Sequence, residues 1–146
     1  MNPTISYAVT ASTEEEELPR LLSLLEEYRR DSDEIVLQFD KGTAKASFIQ
    51  STCSEFKDVK IITYPLDNHF GNFKNNLKKQ CSKDYIFQID ADELPHKELI
   101  KVLPKILERN PEVGLFHVPR INTVTGITTE HLQKWRWTQN KKGWLQ

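Results

Sequence analysis

Short apolar runs that alternate with amphipathic segments are the feature that most constrains this chain. Five runs are rich in strand-favouring residues, at positions 5–9, 35–39, 59–64, 85–89 and 114–118. The first run has no polar alternation, which is typical of a strand covered on both faces. Between the runs, helical periodicity appears at 71–81 and 97–109, and more weakly at 44–56. Alternating strands and helices predict βαβ units in a largely parallel sheet, so the fold class is α/β.

The first helix has clear start signals. Ser12 and Thr13 are followed by four glutamates and then by Pro19, which fits the first helical turn. Leucines then recur at helical spacing, at Leu21, Leu22 and Leu25. In the last helix, Pro104 is expected to kink the helix or to split it.

Composition and charge exclude several classes of protein. The 20 basic and 21 acidic residues give a net charge of −1, which argues against broad attraction to nucleic acid or anionic lipid. No stretch approaches the length of a membrane span, and the first ten residues lack the features of a secretory signal. Cys53 and Cys81 show no metal-type spacing, and we expect them to be reduced. We therefore expect a soluble, cytoplasmic domain. Whether it forms a homo-oligomer stays open.

Two carboxylates directly follow the fourth apolar run. Asp90 and Asp92 come after the segment YIFQI, and in parallel sheets ligands bind beyond the carboxyl ends of the strands. Such a pair can ligate Mn²⁺ or Mg²⁺, which prefer oxygen ligands and keep coordination positions for substrate phosphates. The alternative interpretation is that these acids begin the next helix, where the helix dipole favours negative charge.

Three segments together resemble the family 2 glycosyltransferases of the GT-A fold. They are, in order, ISYAVTASTEEEELPRLL, DEIVLQFDKGT and NHFGNFKNNLKKQCSKDYIFQIDADE. The resemblance spans residues 4–120. It implies a three-layer α/β/α fold with a mostly parallel central sheet. It also implies a nucleotide-sugar-binding domain over residues 1–120, followed at 121–146 by the start of an acceptor-side region or a shortened tail.

The resemblance implies a reaction and a set of site residues. The reaction is metal-dependent, inverting transfer of a sugar from a UDP- or GDP-linked donor to a hydroxyl of a carbohydrate or glycoconjugate. The implied residues of the base pocket are Thr10, Ala11, Glu14 or Glu15, and Asp40. Those near the sugar and phosphates are Gly71, Lys74 and Asn75. Asp90 would contact the ribose or donor sugar and, with Asp92, hold Mn²⁺ or Mg²⁺, which makes Asp92 the catalytic candidate for stabilising the leaving diphosphate.

Three departures from the family pattern leave the donor open. Ser12 and Thr13 stand where the family has Tyr-Asn, so the aromatic stacking partner for the base is missing there. Lys41 replaces the second acid of the Asp-Asp-Gly-Ser turn. Lys74 stands near the family's arginine and can supply a cation, although not a bidentate fork.

The end of the chain offers few acid–base candidates. Inverting members of the family use a carboxylate as general base, and in the tail of this chain, which looks shortened, the only acid–base candidates are Glu130 and His131. Three tryptophans are either a sugar-stacking wall or core and interface anchors, namely Trp135, Trp137 and Trp144. Histidines without metal-type spacing are interpreted as surface or core residues, namely His69, His96, His117 and His131.

Three other classes of protein are alternatives to this interpretation, and sequence features argue against two of them. A haloacid-dehalogenase-like phosphatase would open with its Asp-x-Asp motif, whereas here the motif lies 90 residues into the chain. A nucleotidylyltransferase would carry an early glycine-rich basic loop, whereas the loop after the first strand is acidic and lacks glycine. A non-catalytic nucleotide-sugar-binding or assembly module stays open, and turnover with an acceptor would exclude it.

Overall fold

The computed structural model describes residues 2–42, 46–56, 58–122, 126 and 128–130. Strands and helices alternate along the described ranges, which confirms the α/β class. The strands are β1 (Ile5–Ala11), β2 (Glu34–Asp40), β3 (Val59–Tyr64) and β4 (Tyr85–Asp90). The helices are α1 (Glu17–Tyr28), α2 (Ala46–Ser54), α3 (Phe70–Gln80) and α4 (Lys97–Arg109).

The four strands form one parallel sheet in the order β3-β2-β1-β4. The connections from β1 to β2 to β3 run in one direction across the sheet, and the connection from β3 to β4 runs back. Because parallel crossovers are right-handed, α1 and α2 lie on one face of the sheet and α3 lies on the other. Helix α3 contacts β1, β2 and β3, and α1 contacts α4. The predicted three-layer α/β/α arrangement is confirmed.

The core lies on both faces of the sheet. Ala8 and Val36 pack with Leu77 of α3 on one face. Their strand neighbours point to the opposite face, because successive side chains alternate along a strand. Those neighbours and the apolar stripe of α1 are almost completely buried, namely Tyr7, Val9, Ile35, Leu37, Leu18, Leu21, Leu22 and Leu25. Burying one such leucine stabilises the fold by about 1.5–3 kcal/mol, so the sheet is a rigid base for the loops at its carboxyl edge.

The predicted fifth strand at 114–118 is wrong for the residues that the structure describes. Residues 113–122 form neither helix nor strand. Leu115 and Val118 are 72% and 43% exposed, so this run does not contribute a buried strand face. An apolar run becomes a strand only where a neighbouring strand takes up its backbone hydrogen bonds, and β4 pairs with β1 alone in the described ranges.

Two expectations about helix ends and interruptions also need correction. Pro104 does not split α4, which runs from Lys97 to Arg109 with the proline ring buried, so of the two effects expected of this proline the split is wrong and the kink stays a prediction. Burial of the ring in the apolar face offsets the backbone hydrogen bond that proline cannot donate. The hydroxyls of the first loop do not cap α1: the helix begins at Glu17, and its N-cap residue Glu16 makes no side-chain capping bond.

Contacts divide the chain into two compact units, Met1–Gly114 and Leu115–Gln146. All eight elements lie in the first unit. In the second unit the described residues include Thr129 and Glu130, which are helical. The predicted domain division at 120 stays a prediction. His131 and the three tryptophans lie outside the described residues.

No helix in the described ranges is both long and apolar enough to cross a membrane. The two cysteines are free thiols, one buried and one partly buried. Burial raises the pKa of the Cys53 thiol to about 11. Cys53 is therefore an uncharged core residue at neutral pH.

Candidate functional site

An open cavity of about 210 Å³ lies at the carboxyl edge of the sheet. Such edges collect loops because parallel strands end there together. The cavity brings together seven of the predicted site residues: Thr10, Ala11, Glu14, Asp40, Lys74, Asp90 and Asp92. Its other lining residues are Ser12, Leu66, Phe70 and Phe73. Sites that enclose a ligand are typically about 300–1,000 Å³, so this cavity is smaller than a site that encloses its ligand.

One wall of the cavity is built around an ion pair. Thr10 and Asp90 are register partners on β1 and β4, and Thr10 Oγ1 donates to Asp90 Oδ1 at 2.7 Å. The ammonium of Lys74 pairs with the same carboxylate oxygen and lies 3.3 Å from Thr10 Oγ1. The side chains of Lys74 and Asp90 are 32% and 46% exposed, so a ligand can reach both groups. The positively charged side chain of Lys74 therefore lies directly beside Asp90, the first acid of the Asp-x-Asp motif.

Asp40 lies on the other side of the cavity and joins two loops. Its Oδ1 accepts hydrogen bonds from the backbone N–H groups of Gly42 and Leu66, each at 3.1 Å. The first bond shapes the turn after β2, and the second ties that turn to the loop between β3 and α3. Asp40 therefore positions the loops of the cavity, whatever ligand its second oxygen accepts from.

Glu14 holds the loop that follows β1. Its Oε2 accepts from the backbone N–H groups of Ser12 at 2.6 Å and Thr13 at 3.0 Å. Charge-assisted bonds to two successive amides order the acidic loop without glycine. Glu14 consequently reaches the cavity as part of a fixed turn.

The Asp-x-Asp acids do not begin a helix. Helix α4 begins at Lys97 and is capped by His96, whose Nδ1 accepts from the Glu98 N–H at 3.3 Å. The helix dipole acts only over the first turn, and Asp92 lies four residues before the cap. Instead, the Asp90 N–H donates to Glu93 Oε2 at 3.1 Å, which closes a tight turn that leaves Asp92 exposed.

The residues of this turn fit a divalent cation that is shared with a ligand. Within the described ranges, no three side chains of His, Cys, Asp or Glu come together as a complete metal cage. Mg²⁺ and Mn²⁺ need no such cage, because one or two carboxylates with substrate phosphates and water complete their shell. Asp92, an exposed carboxylate on the cavity, fits this pattern. Asp90 fits it less well, since the Lys74 ammonium already neutralises one of its oxygens.

The position of α3 depends on a buried residue that the sequence analysis missed. Gln38 is fully buried, its side-chain amide donates to the Phe73 carbonyl, and its Oε1 accepts from Asn76 Nδ2, both at 2.7 Å. These bonds attach α3 to the middle of β2, and α3 carries Lys74 to the cavity. The sequence signal for this contact is a single glutamine within an apolar strand. A buried polar side chain must find a hydrogen-bond partner, so such a glutamine indicates a contact with another element.

Three predicted site residues are not among the side chains described as lining this cavity. Gly71 follows Phe70 in α3, and a Cβ there would lie 3.2 Å from Cε1 of the His69 ring, a contact tight enough that the ring would have to shift slightly. Asn75 lines a different cavity of about 510 Å³, together with Tyr64, Asn72, Asn76, Lys78 and Lys79. Glu130 belongs to the second unit. Their proposed roles toward the donor and acceptor stay predictions.

Comparison with known proteins gives one family match and a similar solved structure. The family model described as glycosyl transferase family 2 matches residues 6–145. No curated protein matches the chain. The crystal structure of S. aureus TarS 1-349 is similar, with a TM-score of 0.62 and 18% sequence identity over 82% of this chain. This chain spans 39% of that chain, and at such low identity the likeness shows a shared fold alone.

Proposed function

This chain belongs to glycosyl transferase family 2, and from that premise we propose that it transfers a sugar from a nucleotide-diphosphate donor to an acceptor hydroxyl. The donor is UDP- or GDP-linked, and the acceptor is a carbohydrate or glycoconjugate. The observation that supports this proposal most is the single cavity shared by Thr10, Asp40, Lys74, Asp90 and Asp92. Residues from three strand ends and one helix meet there, as an elongated charged ligand requires.

The charge of the cavity supports metal dependence. Its lining contains four carboxylates and one ammonium, a formal charge of −3. A donor diphosphate is itself an anion, so this surface alone repels it at the short distances of a binding site. A divalent cation on Asp92 would offset two of these negative charges and leave a net positive charge at that carboxylate, which gives the diphosphate a partner. The cation is Mn²⁺ or Mg²⁺, because the available ligands are oxygens.

Each side chain then has a distinct task. The ion supplies Lewis-acid stabilisation of the leaving diphosphate when it is bound. Lys74, held by Asp90 and Thr10, provides a second positive charge beside the phosphates. Asp40 accepts a hydrogen bond from the nucleobase through the oxygen that does not bind the loops. Thr10, Ala11 and Glu14 shape the wall beside the base.

The transfer step needs a hydroxyl that loses its proton as it attacks. The acceptor oxygen forms a bond to the anomeric carbon while the bond from that carbon to the diphosphate oxygen breaks, which inverts the configuration. The electron pair of the broken bond stays on the diphosphate. Glu130 is the proposed general base that takes the hydroxyl proton.

Donor binding is tested first by thermal unfolding of the protein with UDP or GDP, each with and without Mn²⁺. A ligand at about 100 times its dissociation constant adds ~2.7 kcal/mol of stability. For a chain of this length, that corresponds to roughly 5–11 °C of melting temperature. We expect such a rise with one nucleotide only when Mn²⁺ is present, and we expect Asp92→Asn to abolish it.

The matched control is Asp31→Asn, which removes an exposed carboxylate from the turn before β2, at the amino edge of the sheet. This variant should keep the full nucleotide response. If no nucleotide raises the melting temperature of the wild-type protein, the donor-site proposal is wrong. Binding without turnover of UDP- or GDP-sugars on a panel of carbohydrate acceptors would instead favour the non-catalytic nucleotide-sugar-binding or assembly module.

A further inference from the structure

Phe70 is a large apolar side chain exposed at the cavity. It is the first residue of α3, it lines the cavity beside Leu66 and Phe73, and it is 68% exposed. Phe73, by contrast, is buried and packs against Tyr64 with ring centroids 6.3 Å apart. Exposing a phenylalanine ring forgoes the hydrophobic stabilisation that burial would provide. A ring in that position at a ligand cavity is therefore available to a ligand.

The backbone on both sides of Phe70 is tightly held. Residues 66–69 form a turn in which the His69 N–H donates to the Leu66 carbonyl at 2.8 Å. The two central residues, Asp67 and Asn68, have φ angles of 45° and 57°, as a type I′ turn requires. His69 then caps α3, its Nδ1 accepting from the Asn72 N–H at 3.0 Å.

Asp40 connects this turn to the cavity floor. Its Oδ1 accepts from the Leu66 N–H, so the segment that presents Phe70 is anchored to the end of β2. The anchored turn and the helix cap fix the backbone from which the ring projects. A binding surface that is ordered before the ligand arrives avoids the entropy cost of ordering it on binding.

The cavity lining has both apolar and charged side chains. Leu66, bonded to Asp40 at the end of β2, begins the turn that leads to Phe70. Lys74, one helical turn after Phe70, pairs with Asp90 at the end of β4. Strand β1 separates β2 from β4, so the backbones at Asp40 and Asp90 are about 10 Å apart at the ordinary strand spacing. A ligand that reaches from Asp40 to Lys74 and contacts the Phe70 ring needs a flat apolar group with hydrogen-bonding edges as well as phosphates.

We propose that the Phe70 ring is the stacking surface for the nucleobase of the donor. This inference rests on the proposed function and deepens it. The base lies against the ring, and its polar edge faces Asp40. Every nucleobase has a face that stacks on an aromatic ring, so Phe70 provides affinity, and Asp40 contributes to the choice of base.

The test is isothermal titration calorimetry of the full chain with the nucleoside diphosphate that the wild-type protein binds, UDP or GDP, and with inorganic pyrophosphate, each with Mn²⁺. Removing one base-stacking ring typically weakens binding about 5- to 150-fold. We expect a loss in this range for Phe70→Ala with the nucleotide and no change with pyrophosphate. Phe70→Trp should keep nucleotide affinity near the wild-type value.

Phe48→Ala is the matched control, because Phe48 is 42% exposed on α2 and does not line the cavity. It should leave both affinities unchanged. Wild-type nucleotide affinity in Phe70→Ala would overturn the stacking role and leave the proposed function standing. An equal loss for nucleotide and pyrophosphate would also overturn it, since the ring would then shape the phosphate end. A wild-type protein that binds neither UDP nor GDP would remove the proposed function and this inference together.

Discussion

Lys74 is the one basic residue among the described residues that line the cavity. Its ammonium pairs with Asp90 Oδ1 and lies near Thr10 Oγ1, so three side chains from α3, β1 and β4 converge on one point. The pair is partly exposed, and ion pairs of this kind contribute only about 0–1 kcal/mol to stability. In the proposed function, its main contribution is to hold a positive charge beside the donor phosphates.

Lys74→Met separates the binding role from a structural role. We expect the free energy of unfolding to change by less than about 1 kcal/mol, whereas pyrophosphate affinity with Mn²⁺ should fall about tenfold or more, because a charge-assisted bond is lost. Urea unfolding and calorimetry measure the two quantities. Lys79→Met, on the exposed face of the same helix, is the control and should change neither. Unchanged pyrophosphate affinity in Lys74→Met would exclude Lys74 as a phosphate ligand.

Helix α3 is the element on which the site depends most. It contributes Phe70, Phe73 and Lys74 to the cavity, and it is attached to the sheet through Gln38. Both asparagines of the sequence pair line the other cavity, and Asn76 in addition bonds to Gln38. A single buried amide thus links β2 to the helix that carries Phe70, Phe73 and Lys74 to the cavity.

Gln38→Leu should weaken this attachment. The Asn76 amide and the Phe73 carbonyl lose a partner, and a buried group left unsatisfied costs about 1–3 kcal/mol. Nucleotide affinity should fall as well, because α3 carries Lys74. In a double-mutant cycle measured by urea unfolding, adding Asn76→Leu should recover part of the lost stability, since removing both partners is less costly than removing one. Strictly additive losses would show that the two amides do not interact.

At the scale of the whole molecule, Glu34 joins segments that are far apart in the chain. Its carboxylate accepts from Ser6 Oγ at 2.5 Å on β1. It also accepts from the Ser82 N–H at 2.7 Å and the Ser82 Oγ at 2.9 Å, in the turn before β4. Burial alone raises the pKa of Glu34, but the hydrogen bonds from Ser6 and Ser82 outweigh it and lower the pKa below its ordinary value.

The sign of this shift predicts a pH dependence of stability. A carboxyl group with a lowered pKa in the folded state stabilises the fold above its unfolded-state pKa, and this stabilisation is lost as the pH falls through the folded-state pKa. We expect Glu34→Gln to be less stable than the wild type by about 1–2 kcal/mol at pH 7, with a difference that shrinks below about pH 4.5. Urea unfolding from pH 7 to pH 3 measures it. A difference that is constant across this range would contradict the assignment.

The order of elements could be predicted from the sequence with some accuracy. The predicted strand at 59–64 and helix at 97–109 match β3 and α4, and the predicted helix at 71–81 differs from α3 by one residue at each end. These segments have strong apolar periodicity, and burial of that periodicity determines their conformation. The run at 114–118 has the same apolar character, but pairing decides whether a run becomes a strand, and pairing is not local.

The candidate site, too, was partly predictable from the sequence and partly decided by long-range contacts. The sequence by itself determined which residues stand at strand ends, and so it directed attention to the loops that contain Thr10, Asp40, Asp90 and Asp92, whereas Lys74 was identified only through the resemblance to the family. Only the tertiary structure decided that Lys74 pairs with Asp90, that Asp40 anchors the turn before α3, and that Phe70 faces the cavity. Periodicity and strand ends depend on neighbours along the chain, whereas these contacts join residues 16 or more positions apart or depend on how a helix packs on a sheet.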